Sequence, residues 1–340
     1  MLAAFPDARL VTTLLRPEAM PEVFRGARPS VLQRVPGATG HHEWLLPAMP
    51  LAWRLLGPAR EADALVSSSH ACAKGMRAAE GIPHLCYCHT PMRYAWDFEA
   101  ERERFPRGLR PAARAGMAAM RSWDRRSSRG VTRFLANSRA VADRIRRFYG
   151  RGAAVLHPPV DTGLFTPDGR ERDGFLYVGR LVGYKRADLV VEAFAGLPHR
   201  LVVVGDGPLA PRLDAIATPN VTFRRSVTDD ELRDLYRSAR ALVYPVDEDF
   251  GIVMAESQAC GTPVIGLARG GAVDIVSHGR TGWLIREQTT AEVRRAVAEA
   301  ATTGLDEAAV RASAERFSRE RFRAGFAASV EDMIRDPRPA

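Results

Sequence analysis

Short apolar runs alternate with helical segments along most of the chain, and the alternation pauses once, at His157-Pro158-Pro159-Val160-Asp161, before it restarts. Such alternation is the pattern of parallel sheets covered by helices, because parallel neighbours need a crossover of about a dozen residues or more. Two successive prolines stop a helix and break a sheet ladder, so the motif reads as a hinge. Before it, residues 9–15, 64–67, 84–89, 134–137 and 155–156 read as strands; after it, 175–178, 201–204, 221–223, 241–244 and 264–266 do. The pattern predicts an α/β protein of two domains, 1–160 and 161–316, whose sheets face each other across a cleft. A length of 340 residues suits two ordinary cores better than one.

Composition narrows the class. With 46% hydrophobic and 26% charged residues the chain is neither disordered nor fibrous. No apolar run approaches the ~18 residues of a membrane span, and Met1 to Leu15 lacks the pattern of an export signal. Four cysteines make no disulfide framework, so the chain reads as soluble and cytoplasmic. The net charge of +9 is unevenly placed: fifteen arginines between Arg102 and Arg151 face only Glu103, Asp124 and Asp143, a local +12 against −3 elsewhere. Met117, Met120 and Trp123 recur there at helical spacing, as do Val141, Ile145, Phe148 and Tyr149 between a Ser138 cap and a Gly150 stop. The arginine-rich outer faces either attract anionic lipid or phosphate or form an ordinary solvated surface. Nucleic acid is not expected, since the stretch lacks aromatic residues interleaved with the cations in the way a stacking platform needs. Of 49 cations only Lys74 and Lys185 are lysines.

Ligands of open parallel sheets lie at the carboxyl ends of the strands. After 175–178 comes Gly179-Arg180-Leu181-Val182-Gly183-Tyr184-Lys185-Arg186, where Arg180 and Lys185 can converge on one anion beside a helix starting near Ala187, or stand as solvated loop cations. Gly205-Asp206-Gly207-Pro208 after the next strand reads as a tight turn, with Pro208 in the first turn of a helix. The densest group follows 241–244: Pro245-Val246-Asp247-Glu248-Asp249-Phe250-Gly251-Ile252-Val253-Met254-Ala255-Glu256. A helix starting near Gly251 would offer free N–H groups to a diphosphate, with Glu248 before it and Glu256 on its second turn. As a glycosidase pair Glu248 and Glu256 would stand ~12 Å apart if helical throughout, beyond the roughly 5 to 9.5 Å such pairs need. A metal at Asp247-Glu248-Asp249 is disfavoured, because Arg180 and Lys185 already neutralise a diphosphate. Cys86 and Cys88 read as buried thiols, and His89, ending its strand, is either a polar group at the cleft or a satisfied structural histidine.

Together, Gly179-Arg180 with Lys185, the Glu248 to Glu256 spacing, Ala259-Cys260-Gly261-Thr262-Pro263-Val264-Ile265, and Gly270-Gly271 through Gly279-Arg280-Thr281-Gly282 resemble the family 4 retaining glycosyltransferases of GT-B fold. Cys88-His89-Thr90-Pro91-Met92-Arg93-Tyr94-Ala95-Trp96-Asp97, Ala136-Asn137-Ser138 and Pro158-Pro159-Val160-Asp161 look like the branch containing O-antigen mannosyltransferases. The resemblance implies transfer of a hexose, mannose from GDP-mannose favoured over UDP-sugars, to a glycan or lipid-linked acceptor of the cell envelope, with no metal and no other cofactor. Arg180 and Lys185 would hold and stabilise the leaving diphosphate, and Glu256 the ribose hydroxyls. Glu248 would contact the donor sugar, the backbone of Phe250, Gly251 and Ile252 the sugar and phosphates, and His89 the reacting sugar. A final helix, about 317–335, would cross back to the first domain, and the protein would sit peripherally on the inner face of the plasma membrane through the Arg102 to Arg151 stretch. A sugar-nucleotide epimerase of the same fold, and an N-terminally truncated, inactive binding protein, are the alternatives. Two departures stand out. The family's opening strand, Gly-Gly loop and helix precede the piece that here reads Phe5-Pro6-Asp7-Ala8-Arg9-Leu10, so the first domain is expected to lack that βα unit or the start to lie upstream. Arg225 stands where the family tends to have glycine, near the nucleobase pocket.

Overall fold

The computed structural model describes residues 1–40, 42–98 and 107–338. The chain divides into two compact units, Met1–Leu156 with Arg323–Ala340, and His157–Phe322.

In the first unit a short parallel pair, β1 (Val11–Thr12) and β2 (Arg28–Pro29), stands apart from a four-stranded parallel sheet of β3 (Leu65–Ser69), β4 (His84–Cys88), β5 (Arg133–Ala136) and β6 (Ala154–Val155), in that order. The run 9–15 is therefore a strand at only two residues. Beyond Thr12 the Gln33 side chain takes over the ladder, accepting from Leu15 N–H at 2.8 Å and donating to its carbonyl at 3.1 Å. Every residue of β4 is buried, and Cys86 and Cys88 are free, buried thiols. The helix Arg139–Tyr149 begins where Ser138 Oγ accepts from Val141 N–H at 3.1 Å and ends at Gly150, whose φ of 67° closes the last turn.

The longer helix Arg110–Ser127 buries Met117, Met120 and also Asp124. Asp124 is thus not one of the surface charges of the basic stretch. It pairs with Lys74, itself 2% exposed, and accepts from Trp96 Nε1 and Tyr149 Oη, each at 2.7 Å. Lys74 Nζ also donates to the Ala71 carbonyl at 3.1 Å and faces the rings of Trp123 and Tyr149. Residues 102–106 of the basic stretch lie outside the described residues.

The second unit holds one parallel sheet built from β7 (Phe175–Val178), β8 (Leu201–Val204), β9 (Val221–Arg224), β10 (Ala241–Tyr244), β11 (Val264–Leu267) and β12 (Gly282–Ile285), in the order β12-β11-β10-β7-β8-β9. β7, β10 and β11 are buried at every residue, as strands covered by helices on both faces must be. β12 is an addition to the strands legible in the sequence. The helix after β8 starts at Ala210, with Pro211 rather than Pro208 in its first turn. The final helix is Arg319–Arg335, and from Arg323 onward it belongs to the first unit, where Phe326 meets Phe5 at 6.0 Å and Asp332 pairs with Arg133. No helix among the described residues is long and apolar enough to cross a membrane.

The Lys74–Asp124 pair yields a stability prediction. Asp124→Ala leaves a buried ammonium without its counter-charge and should cost about 3–5 kcal/mol in urea unfolding, much of it recovered by adding Lys74→Met. A loss below about 1 kcal/mol would show that the pair does not matter to the fold.

Candidate active site

Strand order in the second unit runs outward from β7 to β9 on one side and from β10 to β12 on the other, so it reverses between β7 and β10. At such a reversal the two following loops diverge to opposite faces and leave a crevice at the carboxyl ends. The loop after β7 carries Arg180 and Lys185; the loop after β10 carries Glu248 and leads into the helix Ile252–Ala259.

Lys185 sits on the one-turn segment Gly183–Lys185, whose last carbonyl accepts from Tyr177 Oη at 3.0 Å. Its ammonium forms an ion pair with Glu248 and donates to Tyr244 Oη at 2.9 Å, while Tyr244 donates to the same Glu248 oxygen at 3.1 Å. The two charged side chains are 17% and 15% exposed, enough for a ligand to reach them but too little for water to screen them fully. Burial and the Glu248 charge hold the Tyr244 phenol far above its ordinary range, so it stays a proton donor. Arg180, on the same loop, is exposed, and no hydrogen bond or ion pair among the described residues engages its side chain. The two cations thus differ: Lys185 is held by protein groups and Arg180 is not.

Gly251 caps the helix Ile252–Ala259 with φ 85°. Met254 N–H returns to the Gly251 carbonyl at 3.0 Å, whereas the amides of Ile252 and Val253 donate to no backbone carbonyl among the described residues. Phe250 is 4% exposed, its ring packed against His157 and Phe317, so only its backbone can meet a ligand. The Gly270-Gly271 turn after β11 locks this loop: Gly271 N–H donates to the Glu248 carbonyl at 2.8 Å, and a Cβ on Gly271 would lie 2.1 Å from the Phe250 carbonyl oxygen. Glu256, one turn into the helix, accepts from Tyr236 Oη at 3.1 Å. Burial raises its carboxyl to about 7, opposed by the Tyr236 bond.

His89 lies in the other unit, at the carboxyl end of β4, half-buried, with Nε2 2.8 Å from Ser68 Oγ and its ring edge-on to Tyr87. Arg225 pairs with Asp214 and covers the Phe223 ring at 4.7 Å. The tyrosines that hold the two glutamates escape sequence reasoning. Tyr244 carries a faint signal, as the last residue of a strand leading into an acidic loop. Tyr236 carries none, being 20 residues from Glu256 on a separate helix.

This fold is that of the GT-B glycosyltransferases. Residues 7–164 match the family described as Glycosyltransferase Family 4 and residues 172–303 the one described as Glycosyl transferases group 1, so the chain carries both domains of that class. The Anabaena protein HepE, solved with UDP and glucose, superimposes with a TM-score of 0.67 at 16% identity, over 91% of this chain and 87% of its own. Sucrose-phosphate synthase from Thermosynechococcus elongatus gives 0.66 at 18% identity, over 92% and 83%. A D-inositol 3-phosphate glycosyltransferase of Streptomyces bingchenggensis is 36% identical over 198 residues, 48% of this chain and 44% of the relative. One of Mycobacteroides abscessus is 31% identical over 193 residues, 49% and 44%. The chain spans somewhat less than half the length of these curated relatives.

The raised Glu256 carboxyl has a thermodynamic consequence. Between its ordinary value of 4.5 and about 7 the folded chain holds a proton that the unfolded chain releases, so stability falls as pH rises through that window and stays lowered above it. The full cost is roughly 3 kcal/mol. Glu256→Gln should therefore raise the melting temperature relative to the parent protein at pH 8.5 and much less at pH 4.5; an equal shift at both would contradict the assignment.

Proposed function

We propose that the chain is a retaining, metal-independent hexosyltransferase that moves a hexose from a nucleoside diphosphate sugar, GDP-mannose by preference, to a glycan or lipid-linked acceptor of the cell envelope. The observation that carries this reading is the Lys185–Glu248 ion pair at the reversal of strand order, where an anion already occupies the ammonium. The diphosphate of the donor takes the place of Glu248 at Lys185, Arg180 supplies the second cation, and the Ile252 and Val253 amides supply neutral donors from a helix N-terminus. Glu248, released, turns to the hydroxyls of the donor sugar. Glu256 accepts from the ribose hydroxyls.

In the reaction the bond between the anomeric carbon and the donor phosphate oxygen breaks, and the acceptor oxygen bonds to that carbon on the same face. The acceptor proton passes to an oxygen of the departing phosphate. Negative charge grows on that phosphate, and fixed cations in a partly dry site stabilise it more than they stabilise the ground state, which is the work a divalent ion does elsewhere. The relatives named as D-inositol 3-phosphate glycosyltransferases support glycosyl transfer, and the UDP complexes of HepE support a nucleotide-linked donor. The GDP-mannose preference rests on the loop from Cys88 to Asp97 in the first unit. Peripheral contact with anionic membrane through the arginines of 102–151 belongs to the same proposal.

Nucleotide release from GDP-mannose, UDP-glucose and related donors tests it. Release should persist in excess chelator; Lys185→Ala should lower kcat/KM by about 10²–10³-fold, and Glu256→Ala should raise the donor KM roughly tenfold. No release from any sugar nucleotide would overturn the reading, and a preference for UDP-glucose would overturn the choice of base and sugar alone.

A further inference from the structure

Arg121 and Arg125 on the helix Arg110–Ser127, and Arg129 just beyond its end, recur every four residues, with Arg126 alongside. That spacing sets the first three in one row. Together with Trp96 and Ser122 they line an open concavity of about 420 Å³ in the first unit.

The lining is fixed in advance. Trp96 stacks on Phe148 with centroids 4.3 Å apart and planes at 13°, and its Nε1–H is taken by Asp124. Arg121 Nη1 donates to the Ala95 carbonyl at 2.8 Å, and Arg125 Nε to the Phe148 carbonyl at 3.0 Å, with its guanidinium 5.3 Å from the Trp96 ring centre. Arg126 Nη1 donates to Ser122 Oγ at 2.7 Å. The acceptors of the three arginine bonds are neutral, so these bonds orient the guanidinium groups without cancelling charge. Among the described residues no carboxylate pairs with any of the four arginines, and the acid nearest in sequence, Asp124, is buried and committed to Lys74.

Four like charges around one concavity repel one another unless an anion joins them. A guanidinium has five N–H donors, and at most one of each is used here, so a fork of donors remains to meet phosphate oxygens two at a time. We infer that this concavity is a second anion site, distinct from the Lys185 loop, and that its ligand is a phosphate ester or diphosphate free in solution. The recessed indole, its N–H already satisfied, forms a wall rather than an interfacial anchor, and the concave shape suits a small ligand better than a bilayer surface. The inference does not depend on the glycosyltransferase reading, and it takes Arg121, Arg125, Arg126 and Arg129 out of the stretch proposed for membrane contact.

Calorimetric titration of the full chain with pyrophosphate tests it against the donor site. One binding event should survive Lys185→Ala and weaken at least tenfold in the double variant Arg126→Gln/Arg129→Gln, whose melting temperature without ligand should match the parent, since neither side chain makes a long-range contact. Loss of all pyrophosphate binding in Lys185→Ala, or no weakening in the double variant, would overturn the inference. So would binding to phosphatidylglycerol vesicles, lost in the double variant, with no pyrophosphate event at this site, because the arginines would then serve a membrane surface.

Discussion

The contact of Lys185 with Glu248 and Tyr244 ties together the two loops that diverge where strand order reverses, and the other features of the site are arranged around it. Tyr177 at the third position of β7 holds the Lys185 backbone, and Tyr244 at the end of β10 holds its ammonium. The Gly270-Gly271 turn after β11 holds the Glu248 backbone. Three adjacent strands therefore fix one ion pair. The pair is largely but not fully sheltered, where Coulomb attraction exceeds its value in bulk water but the desolvation cost is not that of a deep interior. An ion pair of that kind can be exchanged for another anion without unfolding anything.

The chain's use of lysine follows the same physics. Nearly all its cations are arginine, yet both lysines are enclosed: Lys74 beside Asp124 under the helix Arg110–Ser127, and Lys185 beside Glu248. A guanidinium is a wide planar fork, whereas an ammonium is a compact charge that fits a cage of one carboxylate, a carbonyl or hydroxyl, and aromatic rings. Both cages have that composition, with Trp123 and Tyr149 around Lys74 and Tyr184 and Tyr244 around Lys185. One cage is closed and structural. The other lies at the carboxyl edge of a sheet.

Much of this was legible in the sequence. Strands buried on both faces are continuous apolar runs, so β7 and β10 could be placed to the residue, and the nearly buried β8 with them. Ser138 and Gly150 marked a helix because capping is local chemistry. The run 9–15 reads as a longer strand than the two-residue β1 because nothing in it shows that Gln33 will take its hydrogen bonds. β12 carries no clear strand signal because it starts on the last glycine of Gly279-Arg280-Thr281-Gly282. The loops bearing Arg180, Lys185, Glu248 and Glu256 stood out by position, but their partners did not: Lys185 and Glu248 are 63 residues apart, and Lys74 and Asp124 are 50 apart. Pairings across such distances are set by how the sheets assemble.

A chain with two lysines allows a direct measurement. Protein labelled with 15N and 13C only at lysine should give two side-chain NMR signals, one from each cage. Adding a nucleoside diphosphate should shift the Lys185 signal, assigned by its loss in Lys185→Arg, and leave the Lys74 signal in place. If the Lys185 signal stays unmoved at nucleotide concentrations that saturate binding, the diphosphate does not replace Glu248 and the site lies elsewhere.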